Sequence, residues 1–245
     1  MRSTQLLTSM VRKRVRRAGW DINRYPGAEQ GHRRALLLAS LDVDLVVDVG
    51  ANVGQYGSDL RLFGYRKQIL SIEPLGAAYA ELREQAHRDG RWAAIRSAIG
   101  QQTGEMTINI SGNSVSSSLL PMLDRHANAA PESRYVGTET VPIARLDQVA
   151  RNEVVAASRP FLKIDTQGYE SVVLESADEI FSHFVGAELE MSLTPLYDGQ
   201  VLMLETIDWM ARHGLRLVGL SNGFWEPRTG ETLQADGIFV RGDVR

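Results

Sequence analysis

The sequence contains no cysteine. That excludes disulfides, thiolate zinc sites and cysteine nucleophiles, and it fits a reducing compartment. Long apolar runs are missing too; none approaches the roughly 20 residues that a bilayer-spanning helix needs. Charge of one sign is not in excess: 27 basic side chains against 30 acidic ones give a net charge of -3, which carries no nucleic-acid signal. There is no Gly-x-Ser-x-Gly elbow and no phosphate-binding Gly-Lys-Ser/Thr loop. The histidines His32, His87, His126, His183 and His213 are scattered without metal-ligand spacing, so no metal is expected. With 245 residues, 43% of them hydrophobic, the chain can fill one α/β domain.

The first 20 residues hold Arg2, Arg12, Lys13, Arg14, Arg16 and Arg17, with Leu6, Leu7, Met10, Val11 and Val15 between them at near-helical spacing. Residues 1–41 read as a basic helical lead-in. Two uses are open: docking on an anionic membrane surface, or packing on the domain with the basic face in water. The segment has no apolar stretch of secretory-signal length. The expected location is the cytoplasm, on the inner face of the membrane if the helix docks there.

From residue 42 to 245 apolar strands alternate with helical stretches. Strands are expected at Leu45–Val49, Gln68–Ile72, Trp92–Ile99, Glu105–Ile110, Phe161–Asp165 and Val185–Glu190. Helices are expected at Gly31–Ser40, Gly54–Leu62, Ala77–Arg88, Tyr169–Phe184 and Leu204–His213, with Asp147 capping another. Alternation of this kind implies parallel pairing with right-handed crossovers. Leu215–Leu220 and Gly237–Arg241 have no helix between them and should pair antiparallel, giving a mainly parallel seven-stranded sheet with helices on both faces. Ser111–Thr140, rich in Ser, Asn, Gly and Pro, reads as a substrate-side excursion over the sheet.

The chemistry begins at the first strand. Asp48 and the turn Gly50-Ala51-Asn52-Val53-Gly54 open a strand–turn–helix unit. A dinucleotide fingerprint needs glycine at its first, third and sixth positions, where this chain has Gly50, Asn52 and Gln55. The close approach of a pyrophosphate is therefore not provided for. Glu73-Pro74 ends the second strand, where an acid can accept hydrogen bonds from ribose hydroxyls or serve the following helix dipole. A ribonucleoside with a carboxylate and a positive centre, such as S-adenosylmethionine, fits. The turn from Gly50 to Gly54 would cradle its methionyl end, and Asp48 would hold its amino group or tie the turn. Ser97-Ala98 is small enough for adenine to lie against.

Asp48-Val-Gly-Ala-Asn-Val-Gly54, Ser71-Ile-Glu-Pro74, Asn113 with Ser116-Ser117-Ser118-Leu119, and Phe161-Leu-Lys-Ile-Asp-Thr-Gln-Gly-Tyr-Glu170 together resemble the FkbM-type methyltransferase family. The glycine turn is shared by very many methyltransferases; the Lys-Ile-Asp-x-x-Gly-x-Glu block is more specific. The resemblance implies a Rossmann-like class I methyltransferase fold and an S-adenosylmethionine-dependent O-methyltransferase, with S-adenosylhomocysteine as product. It also implies a substrate class of sugar hydroxyls in natural products or surface glycolipids.

Methyl transfer to a hydroxyl needs a proton acceptor. Asp165, at the end of the fourth core strand and beside the cofactor, is the first candidate, with Glu170 one helical turn on and Glu190 at the end of the fifth strand. Capping and dipole roles compete for Asp165 and Glu170. Asn113, Ser116 and Ser117 offer neutral partners to a hydroxyl-rich acceptor, and Tyr197, with Phe224 and Trp225, a stacking face for a sugar ring. Other readings are a nicotinamide-dependent oxidoreductase and a non-catalytic adenosyl-binding or membrane-docking module. An exposed C-terminal edge strand would permit a homodimer.

Overall fold

The computed structural model describes residues 30–242; the basic segment of the lead-in lies outside the described residues. The elements run α1 (Gln30–Ser40), β1 (Leu45–Val49), α2 (Gln55–Leu62), β2 (Gln68–Ile72), α3 (Gly76–Asp89), β3 (Trp92–Ile95), β4 (Ala98–Ile99) and β5 (Gly104–Ser111). They continue with α4 (Asp124–Ala129), β6 (Tyr135–Ala144), α5 (Leu146–Ala156), β7 (Pro160–Ile164), α6 (Glu170–Glu175), β8 (Gly186–Ser192), α7 (Met203–Arg212), β9 (Leu215–Asn222) and β10 (Gln234–Arg241). Among the described residues no helix is long and apolar enough to cross a membrane.

Seven strands form one sheet in the order β3-β2-β1-β7-β8-β10-β9. β1, β2, β3, β7 and β8 pair parallel, while β10 inserts antiparallel between β8 and β9. The centre of the sheet is buried on both faces, and its strands are nearly all apolar, as parallel strands covered by helices must be. One core packs Val47, Val49, Leu162, Ile164 and Leu189 against α5, α6 and α7. The other packs Val46, Phe161, Leu38, Leu60 and Leu82 beneath α1, α2 and α3. Lys163, Asp48 and Glu188 interrupt this second face near the carboxyl ends of the strands.

The structure corrects four expectations. Trp92–Ile99 is not one strand: the chain leaves the main sheet at Arg96-Ser97, and Ala98–Ile99 pairs instead with Ile143-Ala144 of β6. Ser111–Thr140 is not wholly irregular, because β6 runs antiparallel along β5 from Tyr135 to Ile143. Most of the outer half of that hairpin faces water, with Val136 72% exposed, so no apolar alternation marked it as strand. The helix expected over Tyr169–Phe184 stops at Glu175. There the Ser176 hydroxyl donates to the Val173 carbonyl and the Ser176 carbonyl accepts the Asp147 N–H, so the turn is consumed by α5. Asp147 is not that helix's cap; Arg145 takes the position, and the Asp147 carboxylate pairs with the Arg145 guanidinium at 2.6 Å.

Candidate active site

Strand order reverses between β1 and β7, so the carboxyl ends of the strands open a crevice there. A cavity of about 590 Å³ fills it, within the range of small-molecule sites. Gly50, Ala51, Asn52, Glu73, Pro74, Ser97 and Ala98 line its β1–β3 side, and Lys163, Asp165, Glu188 and Asp236 its β7–β10 side. Ser114, Val115, Ser117, Ser118 and Leu119 form a roof from the excursion.

Gly50 has φ 81°, and a Cβ on it would fall on the Asp165 carbonyl oxygen. The turn therefore presses directly on the end of β7, which only glycine permits. Its backbone is pinned from the other side: Gly50 and Ala51 donate to the Ile72 carbonyl at 3.0 and 3.1 Å. Glu73 completes the cradle, accepting Asn52 N–H on Oε2 and Leu75 N–H on Oε1, each at 2.8 Å. One lone pair remains on each oxygen for a hydroxyl in the cavity. Burial pushes the Glu73 carboxyl up to about 7 against those two donors. Asp48 is 1% exposed and accepts the Ser71 hydroxyl at 3.0 Å; burial raises it to about 6. Gly54, expected in the cradle, is not in the cavity wall: it is the left-handed N-cap of α2, packed near Leu82 and Trp92.

Across the switch point stands an array of charges. Asp48, Lys163 and Glu188 are ladder neighbours on β1, β7 and β8. Arg34 reaches down from α1 to hold Glu188 with two hydrogen bonds, at 2.7 and 2.6 Å, and pairs with Asp59 at 2.9 Å. Its guanidinium lies 4.5 Å from the Tyr56 ring centroid, and the Tyr56 hydroxyl donates to Glu188 at 2.9 Å. Burial would raise Glu188, but Arg34 wins and its carboxyl sits below the ordinary value. Burial opposes the Lys163 ammonium, yet Asp165, Asp236, Glu188 and Glu190 hold it charged, above the usual lysine value. Its Nζ is 3.5 Å from Asp165 Oδ2. Asp165 remains about one-third exposed, with Oδ1 accepting the Gln167 amide at 2.8 Å.

Several residues singled out in the sequence lie elsewhere. Glu170 is not in the cavity wall: its Oε1 accepts the N–H groups of Thr166 and Gly168 and the Thr166 hydroxyl, so it staples the β7–α6 turn. Glu190 is also set back from the wall, where it accepts the amides of Gln167 and Gln234, both at 2.7 Å; burial and Asp165 raise it well above the ordinary value. Asn113 and Ser116 bond to each other at 3.0 Å and knit the roof rather than line it, whereas Ser117 does line it. Tyr197 offers no sugar-stacking face, being fully buried with its hydroxyl donating to Gln167 Oε1 at 2.8 Å. His126 packs between Tyr197 and Phe224, and burial lowers it to about 4. Arg34, Tyr56, Lys163, Gln167 and Asp236 were not assigned from the sequence. A cation inside an otherwise apolar five-residue strand was the available signal for Lys163; the others depend on tertiary contacts.

Several solved structures resemble the chain at low identity. Fibrillarin from Aeropyrum pernix, crystallised with S-adenosyl-L-methionine, is 12% identical with TM-score 0.46, over 86% of this chain and 76% of that one. Magnesium protoporphyrin IX methyltransferase from Synechocystis is 11% identical with TM-score 0.44, over 86% and 76%. The 1,6-didemethyltoxoflavin-N1-methyltransferase of Burkholderia thailandensis is 12% identical with TM-score 0.43, over 99% and 90%. No curated protein matches the chain significantly. The mainly parallel seven-stranded sheet with its antiparallel C-terminal strands is the Rossmann-like arrangement expected from the sequence. Residues 48–217, from the cradle aspartate to β9, match the methyltransferase FkbM domain, and with more than half of its length matched the chain belongs to that family.

Proposed function

We propose that the chain transfers a methyl group from S-adenosylmethionine to a hydroxyl of an uncharged sugar, in a glycolipid or a glycosylated natural product. The observation that carries this is Asp165, a partly exposed carboxylate on the cavity wall at the end of β7, directly against the Gly50 turn. The fit of the cofactor rests on the cradle. Glu73 keeps acceptor capacity for a ribose, Asp48 stands ready for an amino group, and Ser97-Ala98 leave a flat wall for adenine. When bound, S-adenosylmethionine supplies an electrophilic methyl on a sulfonium. The Asp165 carboxylate, at the end of β7, would take the proton that the acceptor hydroxyl must lose.

Charge supports an uncharged acceptor. Of the cations lining the cavity, Arg34 is engaged by Glu188 and Asp59, and Lys163 sits among carboxylates. Neither is left to meet a phosphate or carboxylate on the acceptor, while Asp165 and Asp236 present acceptor atoms to hydroxyl donors. Asp165→Asn should cut labelled methyl transfer to a panel of neutral glycosides and glycolipids by at least about a hundredfold, with S-adenosylhomocysteine binding retained. Full transfer by the variant removes Asp165 from the mechanism. Thermal stabilisation by NADH but not by S-adenosylhomocysteine sinks the cofactor assignment.

A further inference from the structure

The turn Thr166-Gln167-Gly168 joins β7 to α6. Gln167 has φ 53°, left-handed backbone that costs a non-glycine residue on the order of 1 kcal/mol. Glycine would adopt it freely, yet a glutamine stands there, buried to 9% exposure. Its side chain is engaged at both ends. Nε2 donates to Asp165 Oδ1 at 2.8 Å and to Glu190 Oε2 at 2.7 Å, and Oε1 accepts the Tyr197 hydroxyl at 2.8 Å. Only an amide can offer two donors to two carboxylates and an acceptor to a phenol at once. The network thereby also fixes which amide atom is oxygen.

The same residue is tied to the roof of the cavity. The Ser118 hydroxyl donates to the Gln167 carbonyl at 2.7 Å, and the Tyr197 hydroxyl lies 3.3 Å from the Ser116 carbonyl. Tyr197 cannot drift, since its ring is fully buried and packs 3.0 Å from where a Cβ on Gly168 would sit. Ser117 and Ser118 line the cavity beside Ser114, Val115 and Leu119. A continuous chain of hydrogen bonds therefore runs from the Asp165 carboxylate, through Gln167, to the roof.

We infer that Gln167 is a positioning residue that makes the orientation of the Asp165 carboxylate and the seating of the 114–119 roof a single state. The inference rests on the assignment of Asp165 as proton acceptor for its catalytic meaning, but its physical content is testable without any acceptor. The full chain, free of ligand, is compared with Gln167→Glu and Tyr197→Phe. Two observables are followed: the ¹³C carboxyl resonance of Asp165, assigned through Asp165→Asn, and amide exchange at residues 114–119. Gln167→Glu keeps an acceptor for Tyr197 but places a third acid between Asp165 and Glu190. It should displace the Asp165 resonance and speed roof exchange about tenfold, the weight of one hydrogen bond. Tyr197→Phe touches neither carboxylate, so a merely local packing role would leave Asp165 unmoved; the relay requires its resonance to shift there too. An Asp165 resonance at its wild-type position in Tyr197→Phe, or wild-type roof exchange in both variants, overturns the inference. Active methyl transfer by Asp165→Asn, with both observables moving as expected, would instead remove the proton-acceptor assignment and leave the relay standing.

Discussion

Gly50 shows how much a single residue decides. A methyl group there meets a backbone carbonyl, which cannot rotate away as a side chain could. The positive φ adds its own cost for any L side chain. Gly50→Ala should therefore lose about 3 kcal/mol of stability, from overpacking and strain together, and with it the register between the cradle and Asp165. Urea unfolding measures the first and calorimetric titration with S-adenosylhomocysteine the second; a variant with the wild-type midpoint would show that β7 can yield. The turn was visible in the sequence as a small-residue break after an apolar strand. That Gly50 abuts Asp165, more than a hundred residues on, was not, because parallel strands β1 and β7 are brought together by the fold and not by spacing.

At the scale of elements, α1 decides the shape of the β7–β10 side. It was expected as a helix on its pattern alone, but its task is to deliver Arg34 to Glu188. It gets close enough because Gly31 stands where any Cβ would overlap the Phe63 ring. Gly31→Val should push α1 outward, at about 1–3 kcal/mol, seen as a fall in melting temperature of roughly 5 °C for a chain of this size. An unchanged melting temperature would mean that Phe63 simply turns aside. The outer half of β6 and the short α6 are the elements least readable in the sequence, whereas β5 is legible there as a strand. The first projects into water and so lacks apolar alternation. The second is cut short by a hydrogen bond to Ser176 from another helix, which no local propensity encodes.

The whole molecule carries an unusual balance of buried acids. Asp48 and Glu73 are raised to about 6 and 7 by burial, so the native state holds their protons more tightly than the unfolded chain does. Stability linked to them is fully present below the ordinary carboxylate range and is lost as pH rises through about 6 to 7. Glu188 works in the opposite sense: Arg34 depresses it, so its contribution is lost as pH falls below the ordinary carboxylate value. The ligand-free protein should thus become less stable, by urea midpoint, between pH 5 and pH 7.5. A midpoint that rises over that interval would show that the cradle acids are charged and well solvated. A ribose that donates to ionised Glu73 should in turn bind more weakly below pH 7, by up to about tenfold per pH unit.

The sequence by itself determined the alternation of strands and helices, the glycine turn, the acids at the ends of β1, β2 and β7, and the family block around Asp165. Each of these is local: a periodicity, a backbone conformation that glycine permits, or a motif a few residues long. Tertiary structure alone decided which acids face the cavity. Glu170 and Glu190 carry the same chemistry as Asp165, but one is spent on the N–H groups of its own turn and the other on two glutamine amides. It also decided that Lys163, Arg34 and Gln167 belong to the site. A carboxylate's role depends on which donors reach it and how much water it keeps, and both are set by strands and helices that the chain brings together from far apart.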